Sequence, residues 1–169
     1  MKETIIEKDT NDFHRKPEEA ETYIFLGDEK VRILVSGEDT GGDCTVAFIS
    51  KVANQGPPLH VHYEEDEIFE VKSGSFTFYI GDQVKEAKEG DFIFAPRGIP
   101  HRYVAGPTES SFVLTASPAG FDKFVKRLGI KVTPSTPLPE TVSAPSEEAI
   151  AELLEVAKEF KISFPDFEK

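Results

Sequence analysis

The chain of 169 residues has a single cysteine, Cys44, so no disulfide can form within it. That agrees with a reducing compartment, and a cytoplasmic location is the expectation. Set in Cys44-Thr45-Val46-Ala47-Phe48-Ile49, the thiol reads as a small apolar strand residue rather than a reactive one. No long apolar run exists, so no transmembrane helix is expected. The first residues, Met1-Lys2-Glu3-Thr4-Ile5-Ile6-Glu7-Lys8, lack an apolar stretch and do not read as a signal peptide. Basic runs are missing too. With a formal net charge of −12, the chain has nothing to neutralise phosphates, which excludes nucleic acid and an anionic membrane surface as expected partners. The charge acts as a solubility term.

What is present is enough for one domain with its own core. Hydrophobic content is a modest 38%, but 14 phenylalanines supply bulky core material. Residues 1–21 are polar and aperiodic and are expected to form an N-terminal arm, ordered only where it docks; His14 belongs to this arm as a solvated residue. From residue 22 to 117 the texture changes to short β-runs: Thr22–Leu26, Val31–Val35, Thr45–Val52, Ile68–Lys72, Phe76–Ile80, Gln83–Glu86, Asp91–Ala95, His101–Val104 and Ser111–Thr115. Turn signals separate them, among them Gly27-Asp28-Glu29-Lys30 and the two-residue hairpin Gly81-Asp82. Such regular spacing predicts an antiparallel sandwich or barrel.

Residues 118–169 are expected to form a helical extension packed on the barrel. Ser117-Pro118 reads as an N-cap and first-turn proline. Phe121, Phe124, Val125 and Leu128 then repeat at helical spacing up to Gly129 as C-cap. A second helix is expected from Ser146, with Ile150, Leu153, Leu154, Ala157 and Phe160 as its apolar stripe. Both stripes are expected against the outside of the barrel rather than over a pocket mouth.

The informative residues are His60-Val61-His62, Glu67 and His101, which include three of the four histidines. Side chains at i and i+2 share a face of a strand, so His60 and His62 point the same way. Glu67 heads the next apolar run. His101 follows the rigid turn Pro96-Arg97-Gly98-Ile99-Pro100, which would aim it back toward the same point. Three imidazoles and a carboxylate suit a divalent first-row transition metal: iron, manganese, nickel, copper, cobalt or zinc. Glu64, Glu65 and Asp66 read as a solvated turn. Arg97 and Arg102 read as exposed residues flanking His101. Of the aromatic set Phe69, Phe76, Phe78, Tyr79, Phe92, Phe94, Tyr103 and Phe112, most are expected in the core and two or three at a cavity.

The pattern resembles the cupin superfamily. Its first motif, His-x-His, three or four residues, Glu, six residues, Gly, is matched by His60, His62, Glu67 and Gly74. Its second, Gly, five residues, Pro-x-Gly, two residues, His, is matched by Gly90, Pro96, Gly98 and His101. Two positions depart: Asn54 stands where the first motif begins with glycine, and Ala105 where the second closes with asparagine. Neither binds metal in the family. Gly56–His62 and Ser117–Phe121 also look like single-domain cupins similar to one half of quercetin dioxygenase.

The resemblance implies an all-β fold, a double-stranded β-helix (jelly-roll) barrel of two antiparallel sheets, followed here by C-terminal α-helices. It also implies one divalent transition metal per chain on His60, His62, Glu67 and His101. Glu67 is in addition the candidate catalytic residue, as a general base on a metal-bound substrate. The leading expectation is a dioxygenase-like oxidoreductase on a small chelating aromatic or enol substrate. The alternatives are an isomerase on the same site and a non-enzymatic small-molecule-binding or storage cupin. A homodimer is expected, with Thr22–Leu26 either covering a neighbour's sheet edge or folding back on its own barrel.

Overall fold

The computed structural model describes residues 12–167; the first half of the expected arm, with the segment read for a signal peptide, lies outside the described residues. The strands are β1 (Glu21–Phe25), β2 (Glu29–Val35), β3 (Thr45–Lys51), β4 (Val61–His62), β5 (Asp66–Ser73), β6 (Ser75–Ile80), β7 (Gln83–Lys88), β8 (Phe92–Ala95), β9 (His101–Ala105) and β10 (Ser110–Ser117). Helix α1 (Phe121–Leu128), β11 (Ile130–Val132), helix α2 (Glu147–Glu159) and β12 (Ile162–Ser163) follow. All nine expected strands appear. Strand β4 falls where alternation places His60 and His62 on one face of a strand; β11 and β12, three and two residues long, are too short to show an alternation and were not expected.

One layer is a seven-stranded antiparallel sheet in the order β11-β1-β2-β3-β10-β5-β8. The facing layer holds β7-β6-β9. Reciprocal backbone hydrogen bonds of His60 and His101, 3.0 and 2.9 Å, join it to β4, which pairs with β12. This is the jelly-roll expected, and alternation along the strands puts one apolar face of each sheet inside. Phe69, Phe76, Phe78, Tyr103 and Phe112 are buried there. Their rings meet edge-on or tilted, with centroids 5.0–5.9 Å apart.

Three features differ from the sequence reading. First, Ser117 ends β10, the Ser117-Pro118 peptide is cis, and Gly120 is the N-cap of α1. A serine-proline pair signals a helix start only where a helix follows at once, and here a turn intervenes. Ser146 does cap α2, its hydroxyl accepting from Ala149 N at 3.2 Å. Second, the C-terminal elements do not pack only on the outside. Phe121, Phe124, Ile162 and Phe164 belong to the barrel's own core cluster, with Phe25 edge-on to both Phe121 and Phe124. Third, Phe92 and Phe94 are 66% and 55% exposed on edge strand β8, because their alternation puts Ile93 and Ala95 inward. Strand β1 pairs with β2 and β11 of its own chain, so this segment folds back on its own sheet.

Candidate metal centre

Each strand that carries a site residue brings it to the space between the two sheets. Glu67 comes from β5 in the seven-stranded layer, whereas His60, His62 and His101 come from the facing layer. The turn before His101 is held by Gly98 N donating to His62 O at 2.7 Å. Gly98 has φ +76° and open space where a Cβ would be, so glycine is needed there for conformation rather than clearance. One ligand atom from each of the four side chains lies within 4.8 Å of the others, and all four residues are buried.

The hydrogen bonds orient all three rings alike. His60 Nδ1 donates to Pro58 O at 2.9 Å, His101 Nδ1 to Ile99 O at 3.0 Å, and His62 Nδ1 to Glu65 Oε2 at 2.8 Å. A carbonyl oxygen only accepts, so His60 and His101 carry their proton on Nδ1. In the neutral ring Nε2 is then a free lone pair. His101 Nε2 lies 2.7 Å from Glu67 Oε2 and His62 Nε2 3.8 Å from Glu67 Oε1. A lone pair facing a carboxylate is repulsive unless a proton or a cation lies between them. The donor set therefore fits a divalent cation, and partners on the far ring nitrogens are the usual way ligand imidazoles are oriented.

The charges in the cluster follow from burial and from one another. Burial, with His101 and His62 as neighbours, holds the His60 imidazole down at about 3, so it stays neutral. At His62 burial disfavours the charged ring, but the carboxylates of Glu67 and Glu65 outweigh it and raise its pKa. Burial works against Glu67 as well, yet the histidines overcome it and hold its carboxyl down at about 2. So held, Glu67 is an ionised ligand-type carboxylate and a weak base.

A metal must displace the His62 proton, which fixes the direction of the pH dependence. Apparent affinity is expected to be flat at high pH and to fall by about tenfold per pH unit below the raised His62 pKa. Calorimetric titration with a divalent ion should show it, and unchanged affinity between about pH 8 and about pH 5, a span that covers the ordinary histidine range, would contradict it.

Glu65 is the residue sequence reasoning placed wrongly. It is buried rather than solvated, with Oε1 accepting from Phe121 N at 2.7 Å while Oε2 holds His62. It links the centre to the start of α1, and its three-residue spacing from His62 was the available signal. Glu64 is exposed, and Asp66 pairs with Arg97 at 2.7 Å. Arg102 lies over the Tyr79 ring at 4.4 Å.

A second buried group also escaped the sequence reading, which had Asp28 and Glu29 in a turn. Lys51, with no exposed side-chain surface, donates to Asp28 Oδ1 at 2.6 Å and Glu29 Oε2 at 3.3 Å. Tyr103 OH donates to Glu29 Oε2 at 2.8 Å. Burial pushes both carboxyls up despite Lys51, and pushes the Tyr103 phenol well up. Glu29 and Tyr103 line the same cavity, of about 40 Å³, as His60, His62 and Glu67. Phe69 and Phe164 are among its apolar walls, with Phe164 at 5.8 Å from the His60 ring.

Fold and site together define a cupin. Residues 50–116 match the family model described as cupin domain, so this part of the chain is a cupin domain. Among solved structures it is similar to KdgF from Halomonas sp. (TM-score 0.58, 21% identity, 68% of this chain and 99% of that one). A second is an RmlC-like cupin from Shewanella frigidimarina NCIMB 400 (TM-score 0.58, 22% identity, 67% and 96%). At these identities the likeness is one of fold. Among curated proteins, 82 residues are 32% identical to a "probable oxidoreductase virH" of Hypocrea virens. That match spans 43% of this chain and 37% of the relative's length. No helix among the described residues is long and apolar enough to cross a membrane.

Proposed function

We propose that the protein is a metal-dependent oxidoreductase of the oxygenase kind, acting on a small aromatic or enol-type molecule that chelates the metal. The observation that carries this reading is the convergence of three buried imidazoles and one carboxylate, with His60, His62 and Glu67 lining a largely apolar cavity. The match to an oxidoreductase supports it. His60, His62, Glu67 and His101 would hold the ion, and a redox-active ion there supplies electron exchange between substrate and oxygen. The chain's own residues do the rest. Pro58 O, Ile99 O and Glu65 fix the imidazoles. Phe69, Phe121 and Phe164 give the cavity apolar walls. Glu67 is the candidate proton acceptor, a role that requires a neighbour to release it first, since beside His62 and His101 it is too weak a base.

The donor set accepts iron, manganese, nickel, copper, cobalt and zinc. Oxygen uptake across a panel of flavonols, catechols and β-diketones tests the reading. Iron-, manganese-, nickel-, copper- or cobalt-loaded protein should consume oxygen with at least one compound, and zinc-loaded protein with none. Absence of turnover with every metal, together with a ligand that co-purifies, would favour a binding protein instead.

We further propose a homodimer that buries the outer face of β8. Phe92, Phe94 and Ile68, the last 45% exposed, form a contiguous apolar patch there, with Ile68 opposite Phe94 across the β5–β8 ladder. Light scattering is expected to give a dimer for the native chain and a monomer for Phe94→Asp; a monomeric native chain at micromolar concentration refutes it.

A further inference from the structure

The cavity at the metal centre, about 40 Å³, has room for an ion and a water or two but not for the body of an organic molecule. Beside it lies a chamber of about 550 Å³, within the usual range for small-molecule sites. The chamber is bounded by the β1–β2 turn, the Gln55–Pro58 loop, the stretch after α1 and the helix α2. Its walls are mostly apolar, including Leu128, Ile130, Ile150, Leu153 and Phe167. The charged residues lining it are Asp28, whose carboxylate is taken by Lys51, and Glu152. Among the described residues, no basic side chain lines it to hold an anion.

Two residues line both spaces, Leu26 and Pro57. Leu26 is also a backbone outlier. With Gly27 it forms the tight turn between β1 and β2, at φ +51° and +79°, closed by Asp28 N donating to Phe25 O at 3.4 Å. Turns of this kind favour glycine, asparagine or aspartate at both central positions, because a branched side chain is strained there. Here a leucine takes that conformation, its side chain packed against the core between the two cavities. On the other side Gly56 holds the Pro57 loop against β9: a Cβ there would meet Tyr103 O at 1.8 Å. The partition is therefore built from a strained leucine and a loop that tolerates no side chain at its base.

We infer that the chamber binds the body of an uncharged, apolar small molecule, and that Leu26 and Pro57 form the sill across which its polar head reaches the metal centre. This rests on the proposed metal-dependent reading for the identity of the neighbouring site, but the chamber can be tested apart from it.

The test is a fluorescence titration with N-phenyl-1-naphthylamine, a neutral aromatic probe, on the full chain with and without bound Cu²⁺. One probe per chain is expected, bound about tenfold or more weakly by Ile150→Glu, which puts a charge on the wall, and by Ala149→Trp, which fills the space from an exposed position. Circular dichroism and the unfolding midpoint show that each variant is folded. Copper, confirmed by elemental analysis, should quench the bound probe, and Leu26→Gly should deepen the quenching. No saturable binding, or binding that neither folded variant weakens, overturns the chamber. Quenching absent with copper bound, or unchanged in Leu26→Gly, overturns its connection to the centre. Probe binding that both variants weaken in a protein that takes up no copper upholds the chamber and removes the metal reading.

Discussion

Lys51→Ala is expected to destabilise the protein by about 3–5 kcal/mol, the usual cost of stripping one partner from a buried ion pair. For a chain of this size that lowers the unfolding midpoint by on the order of 10 °C. The lysine ammonium is the cation held between Asp28 and Glu29 in the barrel, and its removal leaves two buried carboxyls without a counter-charge. The sign of the pH dependence follows from their raised pKa values. A carboxyl whose folded pKa lies above its unfolded one contributes stability that is full below the unfolded pKa and is lost as pH rises through the folded pKa. Without Lys51 the folded values climb further. The deficit should thus be largest near neutral pH and shrink below about pH 4, where both carboxyls are protonated in either state. Glu29→Gln in the same chain should recover part of the loss. Thermal and denaturant unfolding at two pH values check this; a loss below about 1 kcal/mol, the range of an exposed pair, would show that the network is solvated.

His62→Ala should abolish stable metal retention while leaving the barrel folded. The imidazole supplies one of four donors, whereas the fold rests on an aromatic core formed without the ion. Glu65→Gln should weaken metal binding by about 10–100-fold, because it removes the carboxylate that orients His62 without removing a donor. The order of the two effects is the informative part, and metal content after dialysis, with circular dichroism alongside, measures it. A Glu65→Gln loss as large as that of His62→Ala would mean that Glu65 is itself a ligand.

Most of the fold was legible because the strands of a two-layer barrel alternate over five to eight residues, as in Phe76–Ile80 and Ser111–Thr115. The four site residues were legible because their spacing is local: i and i+2 on one strand, then fixed offsets into the next run and the next turn. What was not legible depends on partners far apart in sequence. Strand β12 exists because Ile162 pairs with His62, a hundred residues away. Asp28 and Glu29 look like turn residues until Lys51 and Tyr103 are seen to meet them inside the barrel. Phe92 and Phe94 have the composition of a core strand, but alternation puts them on the outer, exposed face of β8. The stripe of α1 gave its spacing and not its destination: Phe121 and Phe124 reach the cavity because Glu65 holds the start of that helix against the metal centre.

The central claim, that one divalent ion is held by His60, His62, Glu67 and His101, is tested most directly by anomalous diffraction from crystals soaked in a transition metal. The account predicts a single strong peak per chain, within bonding distance of Nε2 of each of the three histidines and of a Glu67 carboxylate oxygen. A metal-soaked crystal in which these four side chains fail to converge on an ion, or in which the peak lies elsewhere, would contradict it.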